Sequence, residues 1–183
     1  MEHSKNPIRR TVMTGVMAAL LAVMSQISIP LPVGVPITLQ TFAVALCGYL
    51  IGPALGTLAV VVYLALAAVG VPVLAGFSGG VGAFMGMTGG FLWGFIPMAL
   101  LCGLGVRAGK KYIALLLGGA GLLLCHLAGS FQFGLVSGTS FFASVMAVSV
   151  PFLIKDAVSV VLAYLAAAGI AVSLKKAGMG DLA

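Results

Sequence analysis

Lys155 and Asp156 stand side by side in the long apolar run that follows Pro151, and Asp156 is the one acid between Glu2 and Asp181. An ionised side chain is costly in hydrocarbon, so one retained there marks a ligand or ion site before anything else. On a helix, Phe152, Asp156, Ser159 and Ala163 share a face, which sets a hydroxyl one turn deeper than the carboxylate. Such a pair suits a ligand with N–H donors, because a carboxylate accepts two hydrogen bonds and each strengthens in low dielectric. Lys155 either serves the same site or is a structural ion partner whose ammonium snorkels to the outer interface.

A second polar group enters at Pro36-Ile-Thr-Leu-Gln40. Thr38 is placed to cap the following helix. The Gln40 amide needs up to four hydrogen-bond partners, and either a ligand or a neighbouring helix would supply them. The stretch from Gly76 to Gly90 has little side-chain bulk, so its backbone is able to approach a ligand closely. It matches neither a P-loop nor a dinucleotide fingerprint, since no Lys-Ser/Thr follows the glycines and no strand precedes them. His126 stands alone beside Cys125 and reads as packing or a helix–helix hydrogen bond. Cys47, Cys102 and Cys125 lack metal-ligand spacing and read as small hydrophobes. Without a nucleophile–base pair, paired carboxylates or a metal cluster, neither catalysis nor a bound metal or cofactor is expected.

These residues must be positioned by membrane helices. The 183-residue chain is 62% hydrophobic and 7% charged, against roughly 25% charged residues in soluble domains. Its 26 glycines suit helices that pack closely in lipid. Apolar runs place six helices at about 11–28, 37–51, 54–69, 90–105, 112–134 and 150–174. The prolines between Ile29 and Pro36, the Gly52-Pro53 pair, the Gly70–Gly90 stretch and a Ser/Thr/Phe loop over 137–144 separate them. The first run is too long for a signal-peptide core and lacks a clear cleavage site, so it reads as a retained helix.

Charge orients the bundle. The net charge of +6 is confined to Lys5, Arg9 and Arg10, then Arg107, Lys110 and Lys111, then Lys175 and Lys176, with Lys155 apart. That distribution excludes a nucleic-acid face and fits cytoplasmic ends and loops. With both termini inside, eight of the nine Lys/Arg fall on the cytoplasmic side, and the long uncharged connections gather outside around a ligand cavity. The expectation is an all-α membrane protein: one domain, residues 1–183, with six transmembrane helices. In the first helix Ala18 and Ala22 form a small-xxx-small pair, with Gly15 and Ala19 on an adjoining line, suited either to packing within the chain or to docking a partner.

Pro36-Ile-Thr-Leu-Gln40, Gly52-Pro53-x-x-Gly56, Gly70-Val-Pro-Val-Leu-Ala-Gly76 and Thr88-Gly-Gly-Phe-Leu-x-Gly94-Phe95, followed by Pro151-Phe152 and Asp156, resemble the BioY family. Members are biotin-specific S components of energy-coupling factor transporters, and the resemblance covers nearly the whole chain. It implies high-affinity capture of biotin from outside by a multi-pass protein of a prokaryotic cell membrane. It also implies partners, a transmembrane coupling subunit and two ATPase subunits that alone use ATP, docked through a first-helix motif that maps onto Ala18 and Ala22. The family commonly carries a Lys three residues after the Asp; here Ser159 holds that position and Lys155 precedes Asp156. Likewise Gly86-Met-Thr-Gly-Gly90 stands where many members have Gly-Pro-Thr-Gly-Gly. The expected site is Asp156 accepting from a ureido N–H, Gln40 or Ser159 completing the polar end, Lys155 beside it, and Thr38, Phe77, Gly79 and Gly80 in the wall. Alternatives are an S component for another vitamin, a stand-alone carrier, for which no internal repeat is found, and a purely structural membrane protein.

Overall fold

Apolar runs bounded by Gly and Pro become helices because, in lipid, each backbone N–H and C=O must be satisfied within its own segment. The computed structural model describes residues 7–176; Lys5, of the first basic cluster, lies outside them. The elements in order are α1 (Pro7–Gln26), β1 (Ser28–Ile29), β2 (Ile37–Thr38), α2 (Gln40–Ala68), a 3₁₀ turn (Ala75–Phe77), α3 (Val81–Met85), α4 (Gly89–Arg107), α5 (Lys111–Ser137), α6 (Phe141–Val148) and α7 (Val150–Lys176). Five of these helices, α1, α2, α4, α5 and α7, are long and apolar enough to cross a membrane.

α2 is not straight. Gly52 has φ 80° and ψ 179°, far from helical values, and Pro53 follows it. Gln40 Nε2 donates to Tyr63 Oη at 2.8 Å, whereas 23 residues of straight helix would separate them by about 35 Å. The chain therefore reverses at Gly52, and the arms 40–51 and 53–68 lie antiparallel. Proline is well placed at the start of the second arm, where its missing N–H has no intrahelical partner to lose. The second and third helices expected from sequence are these two arms.

Small residues set the helix spacing. A Cβ on Gly90 would strike the Ala128 carbonyl of α5, one on Gly94 the Cys125 backbone, and one on Gly48 the Ala99 carbonyl of α4. Such contacts compensate for the weak drive to helix association in lipid. The main core runs through α1, α2, α4, α5 and α7, from Leu21 and Tyr63 to Met98 and Ala163. A second cluster, Val35, Phe133, Val148 and Phe152, ties the Pro-rich connection to α5, α6 and α7. The buried face of α7 carries Phe152, Asp156, Ser159 and Ala163, the face expected from spacing.

Three connections hold more structure than the sequence indicated. The 29–36 segment closes a two-residue antiparallel ladder, Ser28 opposite Thr38 and Ile29 opposite Ile37. The glycine-dense stretch folds into the 3₁₀ turn and α3. The segment read as a loop over 137–144 enters α6 at Phe141, with the Ser140 hydroxyl accepting from Ala143 N at 3.3 Å. Eight residues are too few to register as a spanning helix.

Candidate functional site

A cavity of about 250 Å³ lies among the connections at one end of the bundle, lined by Gly34–Pro36, Thr38, Gln40, Thr41, Leu74, Ala75, Ser78, Ala83, Thr88, the α4 residues Phe91, Leu92 and Phe95, and His126, Val148, Phe152, Lys155 and Asp156. Its roof is the glycine-dense connection, strapped to two helices by glutamine amides. Gln26 Nε2, at the end of α1, donates to the Val73 and Leu74 carbonyls at 3.2 and 3.1 Å, and its Oε1 accepts from Phe77 N at 3.0 Å. Gln132 Nε2, on α5, donates to the Phe84 and Gly86 carbonyls at 2.7 and 2.9 Å. Each strap satisfies backbone carbonyls that an irregular segment leaves unpaired.

The ionic end is built by α7. Asp156 is 5% exposed; its Oδ1 pairs with Lys155 Nζ and its Oδ2 lies 3.3 Å from His126 Nε2 of α5. Oδ1 meets the ammonium as an ion-pair contact and accepts no hydrogen bond of ordinary geometry, so it keeps acceptor capacity. Lys155 Nζ also donates to the Thr38 carbonyl at 2.9 Å, which holds the ammonium over the cavity edge instead of releasing it to the interface. Lys155 is thus an ion partner of Asp156 and a lining residue of the cavity.

Thr38 and Gln40 form the facing edge. Thr38 Oγ1 accepts from Gln40 N at 3.3 Å and donates to Gln40 Oε1 at 3.0 Å. With Nε2 donating to Tyr63, Gln40 bridges the two arms of α2 while lining the cavity.

Of the site residues expected from sequence, Thr38, Gln40, Lys155 and Asp156 come together around the cavity, and four do not. Ser159 is buried on the same face of α7, one turn past Asp156, but outside the lining. Phe77 is 72% exposed, with its N–H tied to Gln26. Gly79 packs against the Val71 carbonyl, and Gly80 N donates to the Ala67 carbonyl at 2.7 Å. These glycines shape the roof's turn and present no face to the cavity. On α1, Ala18 is 3% exposed and Ala22 packs on the same core, which matches packing within the chain, while Gly15 and Ala19 are on the outer side.

His126 makes the helix–helix contact that its sequence reading allowed, but its place in the cavity lining and the apolar wall of Phe91 and Phe95 were missed. A lone histidine carries no spacing signal, and helical periodicity alone does not tell which face of α5 meets α7. Among the described residues no group of His, Cys, Asp or Glu is arranged to hold a metal ion. What the cavity offers is one carboxylate, one ammonium, amide and hydroxyl groups, and aromatic walls: the means to bind a small polar-headed molecule.

Apolar helices of spanning length around a cavity with one ionic end define a multi-pass membrane protein built to hold a small solute. The family model described as "BioY family" matches residues 1–176. The chain is 38% identical over 178 residues to the biotin transporter BioY of Rhodobacter capsulatus, covering 89% of this chain and 93% of that protein. It is 39% identical over 147 residues to a probable biotin transporter BioY of Pyrococcus horikoshii, covering 79% and 88%. In fold it matches the crystal structure of the S-component for biotin from an ECF-type ABC transporter, with a TM-score of 0.82, 24% identity, and coverage of 91% and 93%. This chain belongs to the BioY family.

Proposed function

We propose that this protein captures biotin from the outer side of a prokaryotic cell membrane, as the substrate-specific S component of an energy-coupling factor transporter. The observation that carries the reading is the buried Asp156 of a BioY-family chain, facing a cavity of small-molecule size. Biotin's ureido ring has two N–H donors and a carbonyl. The Asp156 carboxylate accepts one N–H, the Lys155 ammonium or the remaining Gln40 N–H donates to the carbonyl, and Phe91, Phe95 and Phe152 pack the apolar body. The chain is a single substrate-capture domain and a transporter subunit, not an enzyme. Energy comes from a separate coupling subunit and two ATPase subunits, consistent with a sequence that has no P-loop.

Six crossings with both termini inside are part of this proposal. The hairpin tip, Gly52-Pro53, packs against Gly103, four residues from Arg107 at the basic end of α4. Four residues are about 6 Å of helix, so the arms of α2 run nearly the depth of their neighbour and count as two crossings. Cysteines introduced singly at Arg107 and Thr139 of an otherwise cysteine-free chain should label from inside and outside respectively. Labelling of both from one side would remove the six-helix arrangement.

The experiment that tests the function is equilibrium binding of labelled biotin to the purified chain in detergent, competed with thiamine and riboflavin. Saturable nanomolar binding displaced by biotin alone is expected, corresponding to about −12 kcal/mol. Uptake in cells should require the coupling and ATPase subunits, and Ala19→Leu, on the outer line of α1, should abolish uptake while leaving binding intact. Absence of binding by folded protein, or displacement by another vitamin, would overturn the biotin assignment.

A further inference from the structure

His126 contributes nothing to the ligand contacts above, yet both of its ring nitrogens are engaged. The side chain is buried in α5 with Nε2 3.3 Å from Asp156 Oδ2 and Nδ1 3.1 Å from Ser149 Oγ. Ser149 Oγ lies 2.7 Å from Ser130 Oγ, and both serines are buried. The Phe91 ring meets the imidazole edge-on, with centroids 5.7 Å apart, so the imidazole plane is held from another side.

The chemistry gives this chain a direction. An ionised carboxylate only accepts, so Nε2 carries the hydrogen in its contact with Asp156. Nδ1 is then the acceptor, the Ser149 hydroxyl donates to it at 3.1 Å in preference to the His126 carbonyl at 3.4 Å, and Ser149 accepts from Ser130. Donation from Nδ1 as well would make the ring a second cation beside Lys155, facing a single carboxylate. Asp156 and Lys155 of α7 are the charged groups that face the ring, and Thr41 and Phe91 of α2 and α4 add none. An unbalanced charge in this low-dielectric setting is strongly disfavoured.

We infer that Ser130, Ser149 and His126 form a directed hydrogen-bond relay that orients the Asp156 carboxylate, making His126 a positioning residue for ligand binding. A carboxylate's terminal torsion is broad and roughly two-fold. With Oδ2 claimed by His126 and Oδ1 held against Lys155, the group keeps one orientation at the cavity that it lines. Binding then costs less ordering than it would with a rotating acceptor. The inference rests on Asp156 being the ligand-binding carboxylate.

The chain has two histidines, so His3→Gln leaves a single imidazole and makes the relay directly readable. Ring ¹⁵N spectra of that protein without ligand should show protonated Nε2 and bare Nδ1, and Ser149→Ala should give mixed tautomers. In binding, His126→Phe should raise the biotin Kd about tenfold or more, equal to about 1.4 kcal/mol. His126→Gln, with an N–H near the Nε2 position, should stay within about threefold, whereas His126→Asn, whose N–H falls near Nδ1, should resemble Phe. A merely structural histidine would lose apo thermal stability in all three variants with no rescue by Gln. An Nδ1–H tautomer, an imidazolium, or equal Kd values for Phe and Gln would overturn the relay. If folded wild-type protein binds no biotin, the proposed function falls, and the ¹⁵N spectra still settle the relay.

Discussion

Asp156→Ala is expected to weaken biotin binding by more than tenfold, and most of the argument is electrostatic. A hydrogen bond to a charged group contributes about 1.5–3 kcal/mol, so its loss amounts to roughly 10- to 150-fold in Kd. The variant also strips Lys155 and His126 of their shared acceptor. The Lys155 side chain retains 31% exposure, so its ammonium can turn outward, and the stability loss should fall below the ~3–5 kcal/mol seen when a fully buried pair is broken. Affinity should therefore drop far more than thermal stability in detergent. Asp156→Asn keeps the shape but not the charge and should land between wild type and Ala. Unchanged affinity in Asp156→Ala would remove this residue from the site.

The second large effect is steric and lies behind the cavity. Gly94 of α4 faces α5 where a Cβ would sit 2.6 Å from Cys125 Cα and 3.0 Å from its Sγ. Backbone does not yield at that distance without helix displacement, and overpacking of this kind costs about 1–3 kcal/mol. Cys125 adjoins His126, while Phe91 and Phe95 flank Gly94 on the cavity side of α4. Gly94→Ala should thus lower the unfolding temperature and loosen biotin binding together. Gly119→Ala, on α5 with nothing within 4 Å of the added Cβ, is the matched control. It should be neutral or stabilising, because helical Gly→Ala gains about 0.5–1 kcal/mol. If the two alanines behave alike, close α4–α5 packing does not hold the site.

How much was legible varies by element. The face of α7 followed from period alone, because burial of Phe152, Asp156, Ser159 and Ala163 repeats at helical spacing. The reversal in α2 was marked by Gly52-Pro53, a pair that excludes continued helix by local sterics. α6 was hidden because eight mostly apolar residues between polar ones look the same whether coiled or helical. The glycines of the roof were misjudged for a related reason. Freedom to bring backbone near a ligand does not say which neighbour is approached, and for Gly79 it is the Val71 carbonyl.

The sequence by itself determined that this is a membrane protein, where its helices run, and that one ionised pair in α7 is the place to look for a ligand. Those conclusions rest on transfer costs and backbone rules that act residue by residue. Only the tertiary structure decided that His126 meets Asp156 across 30 positions, that Gln40 reaches Tyr63, and that Ala18 faces the core. The rotation of each helix about its axis is set by how glycines and side chains interlock between helices. In a chain apolar on nearly every face, that rotation leaves no local trace.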